Sequence, residues 1–229
     1  MNVLALDSAT GACSVALWSD GAVLARRARV MDRGQAETLM PMVTAVVAEA
    51  DLAFNAIDLF AVTVGPGAFT GLRVGLAAAR GMALAADRPC FGVTTLEAVA
   101  AAVPMADRRG RIVLSAIGSK KREIYAQVFA DEDSPITEPA AVAPEGLAAL
   151  VTGRDTVVVG DAAAVARQAL AEAGIAVRDV SVSGHPDPAV IAALAARRWH
   201  AGVAPPPPAP LYLRAPDATR PVAGGRLRP

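Results

Sequence analysis

Cysteine, histidine and aromatic residues are scarce in this chain of 229 residues, and neither sign of charge is in excess. Cys13 and Cys90 are too few and too far apart for a disulfide framework or a thiolate zinc site. The two histidines, His185 and His200, stand late in the chain; they exclude a multi-histidine metal centre and argue against a Ser-His-Asp triad. Aromatics supply 4% of the residues, so a hydrophobic content of 54% must come mainly from Ala, Val and Leu. The 22 basic and 22 acidic side chains cancel, whereas a protein that grips phosphate backbones unaided carries a basic excess. No apolar run reaches about 18 residues, and no charged-then-apolar leader opens the chain. The expectation is a soluble, cytoplasmic protein without a membrane partner, built as one large domain or two small ones.

The N-terminal part predicts three strands in succession, over residues 3–7, 14–18 and 22–29, the last two joined by an Asp20-Gly21 turn. A helix follows over 35–50, in which Leu39, Met42, Val43, Val46 and Val47 recur at helical spacing; Pro41 belongs in its first turn or kinks it. Further strands are expected over 59–64 and 92–94, with helices over 70–86 and 96–103. This order fits neither an alternating dinucleotide-binding unit nor an all-β domain, and points to a mixed sheet covered by helices. Residues 104–110 read as a boundary. Beyond it come a strand pair over 112–117 and 124–129, a strand over 157–159, and helices over 162–173 and 188–201. Lys120, Lys121 and Arg122 form a hairpin tip, Asp131, Glu132 and Asp133 a solvated loop, and Pro205 to Pro208 a stiff connector. The end, 214–229, carries Arg214, Arg220, Arg226 and Arg228 without an apolar pattern and is expected to be a flexible tail.

Two constellations carry chemistry. The first is Gly65-Pro66-Gly67-Ala68-Phe69-Thr70-Gly71-Leu72-Arg73, a glycine loop between a strand and a helix, with Thr70 near the N-cap. Free N–H groups at a helix start attract anions, so Gly65, Gly67, Thr70 and Arg73 are candidate phosphate contacts. No acidic residue closes the next strand, which argues against a dinucleotide fingerprint. Within that helix Gly71, Gly75, Ala79 and Ala83 are spaced by four and form one smooth face. Each internal glycine costs about 1 kcal/mol relative to alanine, so a close neighbour must compensate, either inside the domain or across a subunit interface. The second constellation is Asp7 at the end of a buried strand, followed by Ser8 and Thr10. Such a carboxylate holds hydrated Mg²⁺ beside nucleotide phosphates, or simply caps its own turn.

Four stretches in order along the chain resemble the TsaB (YeaZ) family. They are Leu4-Ala5-Leu6-Asp7-Ser8-Ala9-Thr10, Ala12 through Trp18, Gly65-Pro66-Gly67 through Arg73, and Pro210-Leu211-Tyr212-Leu213-Arg214. The resemblance implies an α/β chain of the actin-like ATPase superfold, with two ribonuclease-H-like lobes over 1–104 and 105–213. It also implies a non-catalytic subunit of the machinery that makes N6-threonylcarbamoyladenosine in tRNA. Such a subunit pairs with the catalytic homologue TsaD, is joined by the ATPase TsaE, meets tRNA only through the complex, and forms a homodimer when alone. On that analogy the two N-terminal helices are the interface, through Leu39, Met42, Val43, Val46, Gly71, Leu72, Gly75, Leu76 and Ala79, and ATP or ADP with Mg²⁺ sits at the subunit junction.

Gln35 stands where many relatives have His, and Gly118 where many have Asp. The second change leaves Asp7 without a partner across the cleft. It weighs against the rival expectation of a small-molecule kinase or ATPase with Asp7, Thr10 and Gly67 around ATP. A glycoprotease role lacks both metal histidines and a nucleophile–base pair.

Overall fold

The computed structural model describes residues 1–119, 121–130, 134–199 and 205–214. Lys120, the run from Asp131 to Asp133, His200 and the expected tail from 215 onward lie outside the described residues.

β1 (Asn2–Asp7) is the middle of a five-stranded sheet, and its unbroken apolar run is buried on both faces. It pairs antiparallel with β2 (Ala12–Ser19), which pairs antiparallel with the edge strand β3 (Ala22–Val30). The β2–β3 turn places both Asp20 and Gly21 at positive φ, as the tight hairpin requires. On the other side β4 (Leu59–Thr63) and β5 (Cys90–Val93) continue the sheet in parallel. α1 (Gln35–Glu49) and α2 (Phe69–Ala86) cover one face of this sheet. Pro41 lies inside α1, beyond the first turn expected for it. α2 begins one residue early, with Ala68 as an N-cap that gives no side-chain bond, so Thr70 is not the cap. Thr94, expected to close a strand, instead starts α3 (Thr95–Ala101) through a capping box with Glu97.

α4 (Met105–Arg108) fills the expected boundary and leads to a second sheet. There β6 (Ile112–Gly118) and β7 (Ile124–Phe129) are antiparallel, β8 (Ala140–Val142) extends the edge, and β9 (Thr156–Val159) runs parallel to β6. α5 (Leu147–Val151) and α6 (Ala163–Glu172) cover its outer face. β8, α4 and α5 are too short to announce themselves by periodicity. α3 packs Leu96 and Val99 against Val113, Ile117, Val157 and Val159, which joins the two sheets through one apolar layer.

The chain does not remain with the second sheet. α7 (Pro188–Arg198) buries Ile191, Ala192, Leu194 and Ala195 on the first sheet, opposite α1 and α2. Residues 205–214 also return, with Leu211 N–H donating to the Val64 carbonyl at 2.7 Å. The second lobe, expected over 105–213, therefore does not hold all of that stretch: α7 and Leu211 lie against the first sheet, because that is where the apolar face of α7 is buried.

Candidate functional site

Asp7 ends β1 with its side chain fully buried. Parallel pairing with β4 sets Thr63 beside it, and the Thr63 hydroxyl donates to Asp7 Oδ1 at 2.5 Å. The Ala9 N–H donates to the same oxygen at 3.0 Å, which is the turn-capping reading of Asp7. The second oxygen, Oδ2, is buried and has no hydrogen-bond partner. Burial pushes the carboxyl up to about 6, against the pull of Thr63 and Ala9, and the charge of Asp161 raises it further.

Asp161 corrects the expectation that Asp7 faces no second carboxylate. It follows β9, and its Oδ1 accepts the Gly118 N–H at 2.7 Å, so the carboxylate sought at 118 reaches the same cleft from the end of the neighbouring strand. Partial burial raises its carboxyl, while the Gly118 N–H and the His185 ring draw it down. His185, remote in sequence, completes the cleft: its Nδ1 lies 3.0 Å from the Thr10 hydroxyl, and its ring stands over Gly11. Neither residue is among the candidates that the sequence motifs point to. The signal for Asp161 is its place after an apolar strand, Val157 to Val159 then Gly160, which repeats the setting of Asp7.

Ionised Asp7 opposes folding, because its folded value of about 6 lies above the ordinary 3.8. The contribution of Asp7 to stability is therefore most favourable below pH 4, falls as pH rises from about 4 to 6, and stays level above that. The penalty at neutral pH is about 3 kcal/mol. Asp7→Asn removes it, and the variant should melt higher than the parent at pH 7.5 in chelator while matching it at pH 4. Equal melting temperatures at both pH values would show that burial of the charge is not what Asp7 contributes.

The glycine loop is filled by the protein itself. A Cβ on Gly67 would lie 2.2 Å from the Ala9 carbonyl oxygen, and one on Gly65 would lie 3.0 Å from the Leu211 oxygen. The Ala68 N–H, at the helix start, donates to Ala9 O at 2.7 Å. These glycines admit neighbouring backbone. Thr70 is exposed at the start of α2. Arg73 is engaged elsewhere: its guanidinium lies 3.7 Å over the Phe69 ring and its Nε donates to Tyr212 Oη at 3.0 Å. The Phe69 and Tyr212 rings stack at 5.5 Å, so this ladder fastens residues 205–214 onto α2. Ser8 donates its hydroxyl to Gly71 O at 2.8 Å and is spent on packing.

The smooth face of α2 is likewise internal. Gly71 admits Ser8 O, whose distance from an added Cβ would be 2.0 Å, and Gly75 admits Ser8 Oγ and Val62. Leu39, Val43 and Val46 of α1 and Leu76 and Ala79 of α2 point into the core beneath both helices, and Leu72 is buried as well. Met42 is half-buried against the same core. As interface residues these positions are corrected: apolar spacing finds the inward stripe of a helix, and the outward face is what a partner meets. That face carries Met40, Thr44, Ala48 and Asp51 around α1, and Arg73, Ala77, Arg80, Gly81 and Leu84 on α2. Leu84 is 85% exposed, and a Cβ on Gly81 would touch nothing within 4 Å. Between α1 and the Leu52–Phe54 turn runs an open groove of about 730 Å³ that includes Met40, Val47, Phe54 and Met82.

Gln35 opens α1 and donates Nε2 to the Met31 carbonyl at 3.3 Å, a local turn contact. Among the described residues no helix is long and apolar enough to cross a membrane, and no three His, Cys, Asp or Glu side chains converge as a metal centre.

Residues 28–218 match the family described as "TsaD: tRNA N6-adenosine threonylcarbamoyltransferase". The Escherichia coli protein named "tRNA threonylcarbamoyladenosine biosynthesis protein TsaB" is 39% identical over 58% of this chain and 57% of its own length. The chain thus matches little more than half of that relative. An uncharacterized Mycobacterium tuberculosis protein is 34% identical over 94% of this chain and 93% of its own. A crystal structure from Pseudomonas aeruginosa, described as similar to the peptidase YEAZ, superimposes with a TM-score of 0.77. It is 29% identical and covers 93% of this chain and 99% of that one. Two mixed sheets, each with an antiparallel pair beside a parallel crossover, are the paired lobes of the actin-like ATPase superfold. The match runs through both lobes, and on it the chain belongs to the threonylcarbamoyltransferase family as one of its TsaB (YeaZ) members.

Proposed function

We propose that this chain is the non-catalytic dimerisation subunit of the complex that adds threonylcarbamoyl to N6 of the tRNA adenosine beside the anticodon. It acts by binding and stabilising the catalytic TsaD subunit through the outward faces of α1 and α2. TsaE joins the pair, tRNA meets the assembly, and the free chain self-associates through the same surface. The observation that carries this reading is the outer face of α2. Leu84 stands 85% exposed on the same turn as Gly81, a helix-interior glycine that no neighbour among the described residues requires. An exposed glycine of that kind costs about 1 kcal/mol in helix stability. Backbone approach by a second helix gives it a purpose, and Met40 and Phe54 supply apolar anchors along the neighbouring groove.

The test is affinity capture of the tagged chain from its own cell extract, with partners identified by mass spectrometry. A TsaD-type protein recovered near one-to-one is the expected result. That pair, with TsaE, threonylcarbamoyl adenylate and tRNA, should then form the modified nucleoside while the chain alone does not. Capture of the chain without any TsaD-type protein would overturn the reading.

A second reading, a small-molecule kinase or ATPase, draws on the Asp7–Asp161 cleft. It requires ATP turnover by the purified chain, and the closed glycine loop speaks against it. ATP or ADP with Mg²⁺ at the subunit junction would then be held by residues of both subunits.

A further inference from the structure

The outermost strands of the two sheets are β3 and β5 in the first, β8 and β9 in the second. An open strand edge invites pairing with another chain, and soluble proteins keep edges short or cover them. β5 and β8 are only four and three residues long. β9 has four residues, and the Arg178 N–H covers it by donating to the Thr156 carbonyl at 2.9 Å. β3 is different. It has nine residues, all exposed except Ala25. Among the described residues no backbone bond joins it to anything but β2, which leaves its outward row of N–H and C=O groups without a strand partner. The β2–β3 pairing shifts between Leu17 and Trp18 and is regular from Ala25 to Val30. That regular stretch holds Arg26, Arg27 and Arg29 and no acidic side chain. Alternation sends them to both faces: Arg27 meets Glu49 of α1 at 2.8 Å, and Arg26 meets Asp187 at the start of α7 at 2.7 Å. Arg29 shares the α1 face with Arg27 and has no ion pair among the described residues.

These arginines decide what can dock. A second copy added antiparallel about the midpoint of β3 would set Arg26 against Arg26, and in-register parallel pairing would oppose all three to themselves. Like charges directly opposite destabilise a ladder, so the edge is closed to its own copy and open to the opposite charge. We propose that the outer edge of β3, from Ala25 to Val30, receives an acidic extended segment of a partner protein as an antiparallel sixth strand of the first sheet. Main-chain bonds to the free row supply the affinity, and side chains opposite the arginines fix register. Arg29 is the anchor, since its charge is otherwise unmatched. A guanidinium has five N–H donors, so Arg26 and Arg27 can each serve a second carboxylate beside the one they hold. Opposite Val30, Ala28 and Ala25 the partner needs apolar side chains. Read from its N-terminus, the segment that fits is valine-glutamate-valine-glutamate-glutamate-valine or its chemical equivalent. This inference does not depend on the partner-subunit reading.

The experiment uses the full chain and a capped, fluorophore-labelled peptide of that sequence, followed by anisotropy, with amide hydrogen exchange of the chain at saturating peptide. Binding should weaken about tenfold when the three glutamates become glutamine, and vanish when they become lysine. Arg29→Glu, at an exposed side chain whose change leaves the core intact, should also cost about tenfold or more. Arg122→Glu, at an exposed arginine of the second sheet's hairpin, should leave affinity unchanged. Amides of β3 should gain protection in the complex. A peptide of equal charge with its valines replaced by proline lacks half of its N–H donors and should not bind. Equal binding of that proline peptide would reduce the edge to a basic patch and overturn the proposal. So would protection that appears elsewhere than β3, unaltered affinity in Arg29→Glu, or no binding at millimolar peptide. Self-association of the free chain that gains protection at β3 would give the edge to a second copy instead.

Discussion

Leu84→Arg should lower the affinity of this chain for a TsaD-type partner by roughly 100-fold or more while leaving the isolated chain folded. Leu84 is 85% exposed, so the core loses nothing when it changes. At a buried interface centre the new guanidinium would be stripped of water without a matching anion, and Arg80 on the adjoining turn adds like charge. Gly81→Trp should act alike by holding the partner helix away. Gly81→Ala is the sharper probe: with nothing within 4 Å of its Cβ, it should stabilise the free chain by about 1 kcal/mol yet weaken the complex. Binding measured by calorimetry or biolayer interferometry, beside circular dichroism of each variant, separates the two effects. Unaltered affinity in Leu84→Arg and Gly81→Trp together would move the interface away from α2. Charged substitutions at Val46 or Gly75 cannot make this test, because both are buried in the chain's own core and would unfold it.

The periodic segments were legible because their signals are long. The nine-residue β3 with its Asp20-Gly21 turn, the 15-residue α1 and the 18-residue α2 all follow from spacing and turn chemistry. What escaped had a non-local cause. Nothing local reveals that α7 crosses back to the first sheet, since its stripe of Ile191, Ala192, Leu194 and Ala195 would suit either sheet equally. Thr94 ends an apolar run and reads as strand, yet Glu97, three residues on, completes a capping box with it.

The site was half legible for the same reason. Asp7 is legible as a polar end to an apolar strand, whereas the family resemblance points for its counterpart to position 118, which is glycine. The cleft is closed instead by Asp161 and His185, which lie 154 and 178 positions further along; His185 meets Thr10 where its segment docks on β2, with the Ser14 hydroxyl donating to the Pro186 carbonyl. Gly67, Gly71 and Gly75 wanted a close neighbour, and the neighbour is the Ser8–Ala9 turn, which no local pattern distinguishes from a phosphate or a second subunit.

That turn gives the largest expected loss of stability. In Gly71→Ala the new methyl would sit 2.0 Å from Ser8 O, a backbone atom that cannot rotate aside. Ser8 also donates its hydroxyl to Gly71 O, and the Ala9 carbonyl accepts from the Ala68 N–H, so any retreat of the turn breaks bonds on both sides of the contact. The gain in helix propensity, about 1 kcal/mol, is outweighed. A net loss of about 4 kcal/mol or more follows, a large share of the 5–15 kcal/mol typical of a domain. For a chain of this length that is a fall of roughly 8–16 °C in melting temperature. Gly75→Ala should cost less, because its closest neighbour at 2.7 Å is a hydroxyl that can turn away, at the expense of its bond to Gly71. One helix therefore ranks three identical substitutions by what stands opposite each: backbone at 71, a side chain at 75, open space at 81. Thermal melts of the three alanine variants under one buffer check that order. Equal stability of Gly71→Ala and Gly81→Ala would mean that α2 does not rest on the Ser8–Ala9 turn as described. Because this turn directly follows Asp7, displacement of α2 should also disturb the carboxylate: in a Gly71→Ala chain that still folds, the fall in stability from pH 4 to 6 should shrink as water reaches Oδ2.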